Sequence, residues 1–246
     1  MRALLPEPVE DVDVHAFYAA DWVGPGGIRA NMIASVDGAG AVEGRSKGLQ
    51  TPGDNRVYSA LRDLADVVLV AAGTAVAEGY APVGIGPQRV AVRAAYGLPP
   101  LLPTAVVSRS LRGLDPADPL FADAAPDAPT LVLTTGAADP SVRAALSRTV
   151  ELVECGAADL DLAGVRGALD ERGLRRVLSE GGPTFLSALA AAGQLDELCL
   201  SITPLLAGPG ATRILAGDPW PDGPRPLRLS GLLEEDGALF LRLRAR

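Results

Sequence analysis

The sequence predicts an α/β fold: a mostly parallel central sheet with helices on both faces and an antiparallel hairpin at the C-terminal end. Three observations carry that expectation. Short unbroken apolar runs such as Val67–Ala71 mark strands buried on both faces. They alternate with segments whose apolar residues recur at helical spacing, Val57, Leu61 and Leu64 among them. Near the end, two apolar stretches flank Asp236-Gly237, a strong hairpin turn signal.

Taken in order, residues 1–26 hold prolines, acids and most of the run Gly24-Pro25-Gly26-Gly27, and read as an irregular N-terminal extension packed over the domain. Residues 28–34 read as a strand. Residues 54–65 read as a helix with Asp54 as its cap. Strands follow at 67–71, 105–107, 131–134, 150–153, 176–179 and 197–202, with helices at 139–147, 160–172 and 183–192. The hairpin pairs 227–233 with 238–243. The intervals 80–104 and 112–129, rich in proline and glycine, read as surface loops, because the alternation continues across them. Strands alternating with helices imply a parallel sheet. One domain, 27–246, is expected.

Composition removes several function classes. The 246 residues carry a net charge of −8, and an acidic surface repels a phosphate backbone, which excludes general nucleic-acid binding. Local positive charge still suits an anionic small molecule. The 22 basic residues include one lysine, Lys47, and arginine favours forked phosphate contacts. One histidine, His15, excludes a histidine-based metal site or triad. Cys155 and Cys199 make no disulfide framework. With no leader-like segment and no apolar run of membrane length, the expected setting is the cytoplasm.

Four segments carry chemistry. Glu180-Gly181-Gly182-Pro183-Thr184-Phe185 follows a strand and opens a helix, where side-chain-free backbone and helix-start N–H groups accommodate a pyrophosphate. Ala72-Gly73-Thr74-Ala75 is a second strand-to-loop junction, at a strand's carboxyl end, the place where open α/β sheets collect ligands. In Val107-Ser108-Arg109-Ser110 a guanidinium between two hydroxyls suits a phosphate monoester such as the 2′-phosphate of NADPH, and Thr134-Thr135-Gly136 ends the next strand. In Asn31-Met32-Ile33-Ala34-Ser35-Val36-Asp37-Gly38, Asp37 is placed to hold a heterocycle or a proton. Singly, each segment also reads as an ordinary turn.

Together they resemble a family. Residues 31–38, 64–79 (LADVVLVAAGTAVAEG), 105–110 (AVVSRS), 177–186 (VLSEGGPTFL) and 197–210 (ELCLSITPLLAGPG) are similar, in order, to the pyrimidine reductase of riboflavin biosynthesis, the reductase half of a bifunctional deaminase/reductase. That family shares the dihydrofolate-reductase-like fold. The resemblance implies a homodimer that uses NADPH to reduce the ribosyl group of 5-amino-6-(5-phosphoribosylamino)uracil or its diamino-pyrimidinone relative. It implies cofactor contacts at Gly73, Thr74, Ser108, Arg109, Ser110, Thr134, Gly181, Gly182, Thr184 and Phe185. Asp37 and Glu180 take the catalytic places. Asn31, Ser35 and Gly38 face substrate, with Arg45, Lys47 and Arg56 as charge for its phosphate. The deaminase's His-x-Glu and Pro-Cys-x-x-Cys zinc pattern is absent from these residues, so no metal is expected. The segment 43–53 departs from the family's usual substrate loop and leaves the substrate open. Two alternatives stand beside this reading: reduction of a pterin or other heterocycle on the same fold, and a non-catalytic NADPH-binding dimer.

Overall fold

In a computed structural model of the chain, residues 1–22, 27–84 and 86–246 are described. Gly24, Pro25 and Gly26 of the expected extension lie outside them. Along the chain run β1 (Arg2–Leu5), α1 (Val14–Ala19), β2 (Ile28–Ser35), a 3-10 turn (Ser46–Leu49), α2 (Pro52–Leu64), β3 (Val67–Ala71), α3 (Ala72–Glu78), α4 (Pro87–Ala95), β4 (Thr104–Val107), α5 (Pro119–Ala122) and β5 (Leu131–Thr134). There follow α6 (Pro140–Leu146), β6 (Glu151–Glu154), α7 (Leu162–Glu171), β7 (Val177–Ser179), α8 (Pro183–Ala191), β8 (Glu197–Thr203), β9 (Leu227–Glu235) and β10 (Ala238–Ala245).

The chain forms two compact units, Met1–Leu61 with Gly181–Arg246, and Arg62–Glu180. In the second unit the strands run β7-β3-β4-β5-β6, all parallel. Every residue of β4, β5 and β7 is buried, which is why these strands read as unbroken apolar runs. β6, at the edge, has none buried. In the first unit the order is β1-β9-β10-β8-β2. There β2 and β8 are parallel and the other neighbours antiparallel. The β9–β10 turn places Asp236 and Gly237 at φ of +50° and +80°, the left-handed pair that an Asp-Gly hairpin requires.

Four expectations are corrected. The N-terminal extension is not irregular: β1 pairs with β9, and α1 is capped by Asp13, whose carboxylate accepts from Ala16 N–H at 3.1 Å. The 80–104 interval contains α4, started by Pro87 in its first turn, and 112–129 contains the short α5. Residues 72–75 belong to helix α3 rather than to a loop. Asp54 is not the cap of α2. Thr51 is: its hydroxyl accepts from Asp54 N–H at 3.1 Å and its carbonyl takes the first helical bond, from Asn55. Threonine one residue before Pro52 is the better cap on chemical grounds as well.

Three buried arginines hold elements together. Arg93 of α4 donates to the carbonyls of Arg62, Asp63 and Ala65 at the end of α2, and to Pro99 and Leu101. These are carbonyls that a helix end leaves without partners. In the first unit, Arg29 and Arg242 share the fully buried Glu197 at 3.0 and 2.7 Å. Both also donate to carbonyls at the end of α1, Arg29 to Tyr18 and Arg242 to Phe17 and Ala20.

Candidate active site

The expected site residues divide between the two units. In the second unit, β3 runs straight into α3. The residue before that helix, Ala71, offers no side-chain cap, and a Cβ placed on Gly73 would meet nothing within 4 Å. The start of α3 is therefore open on the side of Gly73, with half-buried Thr74 behind it.

β4 ends at Val107 and the chain turns at once, with Leu111 at a φ of +60°. Ser108 Oγ accepts from Leu111 N–H at 3.0 Å, which leaves its own O–H to donate outward. Ser110 Oγ accepts from Arg112 N–H at 3.4 Å. The Arg109 side chain is 68 % exposed and pairs at 3.1 Å with Asp159, which is 83 % exposed. Such a pair contributes little. Thr134 is fully buried, and its hydroxyl has no hydrogen-bond partner among the described residues. The next residue, Thr135, donates its Oγ1–H to the Arg109 carbonyl at 3.0 Å and fixes that backbone.

Glu180 closes this unit. Arg62 holds its carboxylate with two parallel bonds, Nε and Nη2 each at 2.7 Å, and the Tyr80 hydroxyl donates a third at 2.6 Å. The guanidinium also lies 5.7 Å from the centre of the Tyr80 ring. Glu180 is thus bound up in a forked, charge-assisted clamp. Sequence reading missed Arg62 and Tyr80 because they lie 118 and 100 residues away.

In the first unit, Gly181 sits at a φ of +87°, where side chains are strained, and a Cβ there would come within 3.2 Å of Met32 Sδ. Gly182 is the residue before α8 and supplies no side-chain cap. Pro183 has no N–H, so the free donors of the first turn belong to the following residues, exposed Thr184 and buried Phe185. An uncapped helix start reached through glycine is a cradle for a phosphate.

Asp37 stands exposed beyond β2. The Ser35 hydroxyl donates to its carboxylate, as do Ala207 N–H at 3.2 Å and Gly208 N–H at 2.8 Å. The Ser35 bond above all, and then the two amides, hold its carboxyl below the usual range. It is an ionised anchor, not a store of protons. Gly38 turns the chain at a φ of +89°.

A carboxyl that sequence reading took for a cap lies deeper. Asp54 is buried, and desolvation pushes its carboxyl up, opposed by the Ser201 hydroxyl. Ser201 Oγ has no aligned partner of its own among the described residues, and neither has Asn31 Oδ1. Asn31 pairs with Cys199 in register and Ile33 with Ser201, so Asn31 and Ser201 share a face of the β2–β8 ladder. Arg45 and Lys47 are exposed, and Arg56 is engaged by Glu235. Among the described residues no cluster of His, Cys, Asp and Glu could hold a metal ion, and no helix is long and apolar enough to cross a membrane.

Comparison with known proteins gives consistent matches. The family described as RibD C-terminal domain matches residues 27–232. The 2,5-diamino-6-ribosylamino-4(3H)-pyrimidinone 5′-phosphate reductase of Methanothermobacter thermautotrophicus is 26 % identical over 185 residues, 75 % of this chain and 81 % of that protein. A pyrimidine reductase-like protein from Corynebacterium diphtheriae superposes with a TM-score of 0.83 at 24 % identity, covering 96 % of this chain and 99 % of that one. Dihydrofolate reductase from Enterococcus faecalis, solved with NADP(H), superposes with a TM-score of 0.50 at 10 % identity, covering 90 % and 98 %. The fold is that of the dihydrofolate reductases.

Proposed function

Because the chain belongs to the RibD C-terminal domain family, we propose that it is an NADPH-dependent reductase. Its substrate is a phosphorylated ribosylamino-pyrimidine of riboflavin biosynthesis, either 5-amino-6-(5-phosphoribosylamino)uracil or the diamino-pyrimidinone on which the Methanothermobacter relative is named to act. The product carries a ribityl chain in place of the ribosyl group. The observation that carries the reading is the uncapped, glycine-led start of α8 inside a family match that spans nearly the whole chain.

Each group, taken within its own unit, has the chemistry that part of a dinucleotide needs. Gly73, Thr74 and the strand ending at Thr134 would line it. Ser108, Arg109 and Ser110 would take the 2′-phosphate, and Gly181, Gly182, Thr184 and Phe185 the pyrophosphate. When bound, the dihydronicotinamide supplies hydride to the opened sugar carbon, and the protein supplies orientation and electrostatics. Asp37, held ionised, orients substrate through charge and keeps the Ala207-Gly208 amides in place. Glu180, spent on Arg62 and Tyr80, positions the glycine turn that follows it. Asn31, Ser35 and Gly38 border substrate, and Arg45 and Lys47 supply positive charge near its phosphate, whereas Arg56 contributes only if it leaves Glu235. The same reading carries a cytoplasmic homodimer.

A second reading has its own support. A buried carboxyl with a raised titration point, Asp54, suits the paired ring N–H and amino groups of a pterin or other heterocycle. The deciding experiment is calorimetric titration with NADPH and NADH at fixed salt, followed by turnover assays on the phosphoribosylamino-pyrimidine and on dihydropterin. Preference for NADPH of at least about tenfold, or 1.4 kcal/mol, with turnover of the pyrimidine alone, is the expected result. Binding of neither cofactor overturns the reductase reading, and turnover of the pterin alone overturns the choice of substrate.

A further inference from the structure

Between β8 and β9 the chain runs through residues 204–226 without a helix or strand. Connections beyond about 12–15 residues are seldom passive inside a compact unit. This one is pinned along its whole length. Its first part lies on the turn after β2. Val36 N–H donates to the Leu205 carbonyl at 3.2 Å, Ala207 and Gly208 donate to Asp37, and Gly40 N–H donates to the Thr212 carbonyl at 2.6 Å. Glycine is needed at position 40, since a Cβ there would lie 3.0 Å from Ile214 N and 3.1 Å from the Arg213 carbonyl carbon.

Its second part is laid along α8. Ala216 N–H donates to the Pro183 carbonyl at 3.2 Å, Trp220 Nε1–H to Ser187 Oγ at 2.9 Å, and Arg225 Nη2 to the Ala191 carbonyl at 2.7 Å. Residues 183, 187 and 191 are four apart and share one helix face. One segment is therefore bonded at one end to the turn that carries Asp37, and along the other to the helix that starts at the glycine turn.

We propose that this strap couples the two places: a pyrophosphate-bearing cofactor seated on the start of α8 steadies the strap through Pro183 and Ser187, and the strap then sets the Asp37 turn, so that cofactor binding precedes and strengthens substrate binding. The inference rests on the cofactor reading above. Irregular chain held mainly by single hydrogen bonds opens locally at low cost. A first ligand that orders such a segment spares the second ligand that ordering, which is positive coupling without a large change of shape. Leu206 is 75 % exposed between Leu205 and Ala207, which hydrogen bonds hold. Trp220 and Ser187 act here as positioning residues.

Hydrogen–deuterium exchange read by mass spectrometry, with and without saturating NADP+, tests the coupling on the wild type, Ser187→Ala and Trp220→Phe. Peptides over 205–212 are expected to exchange at least about fivefold more slowly with NADP+ in the wild type, a typical size for coupling between sites. In either variant that slowing should fall to less than half, while NADP+ still binds and the melting transition stays cooperative. NADP+ binding without slower exchange at 205–212 overturns the strap, as does equal slowing in all three proteins. Failure of the wild type to bind NADP+ overturns the cofactor reading instead. The unliganded proteins then decide the strap alone: faster exchange at 205–212 in Ser187→Ala upholds the link, and unchanged exchange removes it.

Discussion

Arg109 is the residue whose proposed work is most exposed to test. Among the described residues its guanidinium is held by Asp159 alone, and hydrogen bonds to charged groups contribute about 1.5–3 kcal/mol. Arg109→Ala is therefore expected to weaken NADPH roughly tenfold or more by calorimetry and to leave NADH nearly unchanged. Equal loss for both would remove the 2′-phosphate assignment. Asp37 and Asp54 are opposites. The Ser35 hydroxyl, with two strap amides, lowers the folded-state titration of Asp37, so its contribution is complete above the unfolded value and is lost only as pH falls through the folded one. The pH profile of kcat/KM should accordingly carry no Asp37 limb above about pH 5. Burial raises Asp54. Its folded form keeps a proton over a range where the unfolded chain has lost it, so stability falls as pH rises through that range. Asp54→Asn should raise the melting temperature of the unliganded protein at neutral pH, and a variant that is no more stable would contradict the buried charge. The turns that carry Ser35, Asp37 and Arg109 were legible in the sequence because each lies within a few residues of a strand end. The Glu180 clamp was not, since its partners are brought in from distant helices and nothing in local spacing announces them.

At the level of elements, α4 shows why one stretch was misread. Glycines and prolines on both sides made 80–104 look like loop, and the helix between them is only nine residues long. What makes it matter is tertiary: Arg93 is buried with its guanidinium against carbonyls at the end of α2. Burial lowers its titration point, opposed by Asp66 and Asp63. Arg93→Leu should cost at least about 3 kcal/mol in urea unfolding, because several buried carbonyls lose their donor together. Arg62 sits on that same helix end, so NADP+ affinity should fall in the same variant. Unchanged stability would show that water or a neighbour can replace the cap. The buried strands of the second unit were read nearly to the residue, because a strand enclosed on both faces has no choice but an apolar run. β1 was missed because a short edge strand, with one buried residue in four, carries no such pattern.

For the molecule as a whole, the fold class followed from the rhythm of apolar runs, while the mixed sheet of the first unit depended on pairings between distant strands that the sequence does not display. Holding that unit is Glu197. Burial pushes its carboxyl up, but Arg29 and Arg242 outweigh burial and leave it lowered. Its stabilising share is thus present above the unfolded value and disappears as pH falls through the folded one. Glu197→Gln should cost about 3–5 kcal/mol, since it strands two buried guanidinium groups, and chemical denaturation of the variant at neutral pH measures it. The cations in these internal pairs are arginines, and that has a further consequence. A guanidinium stays charged to beyond about pH 12, the Cys199 thiol is pushed up to about 12 by burial, and the Tyr18 hydroxyl is raised as well. Alkali finds almost nothing inside to discharge, and acylating reagents aimed at amines meet one lysine side chain, the exposed Lys47, which no ion pair among the described residues employs. The protein is built to be undone from the acid side.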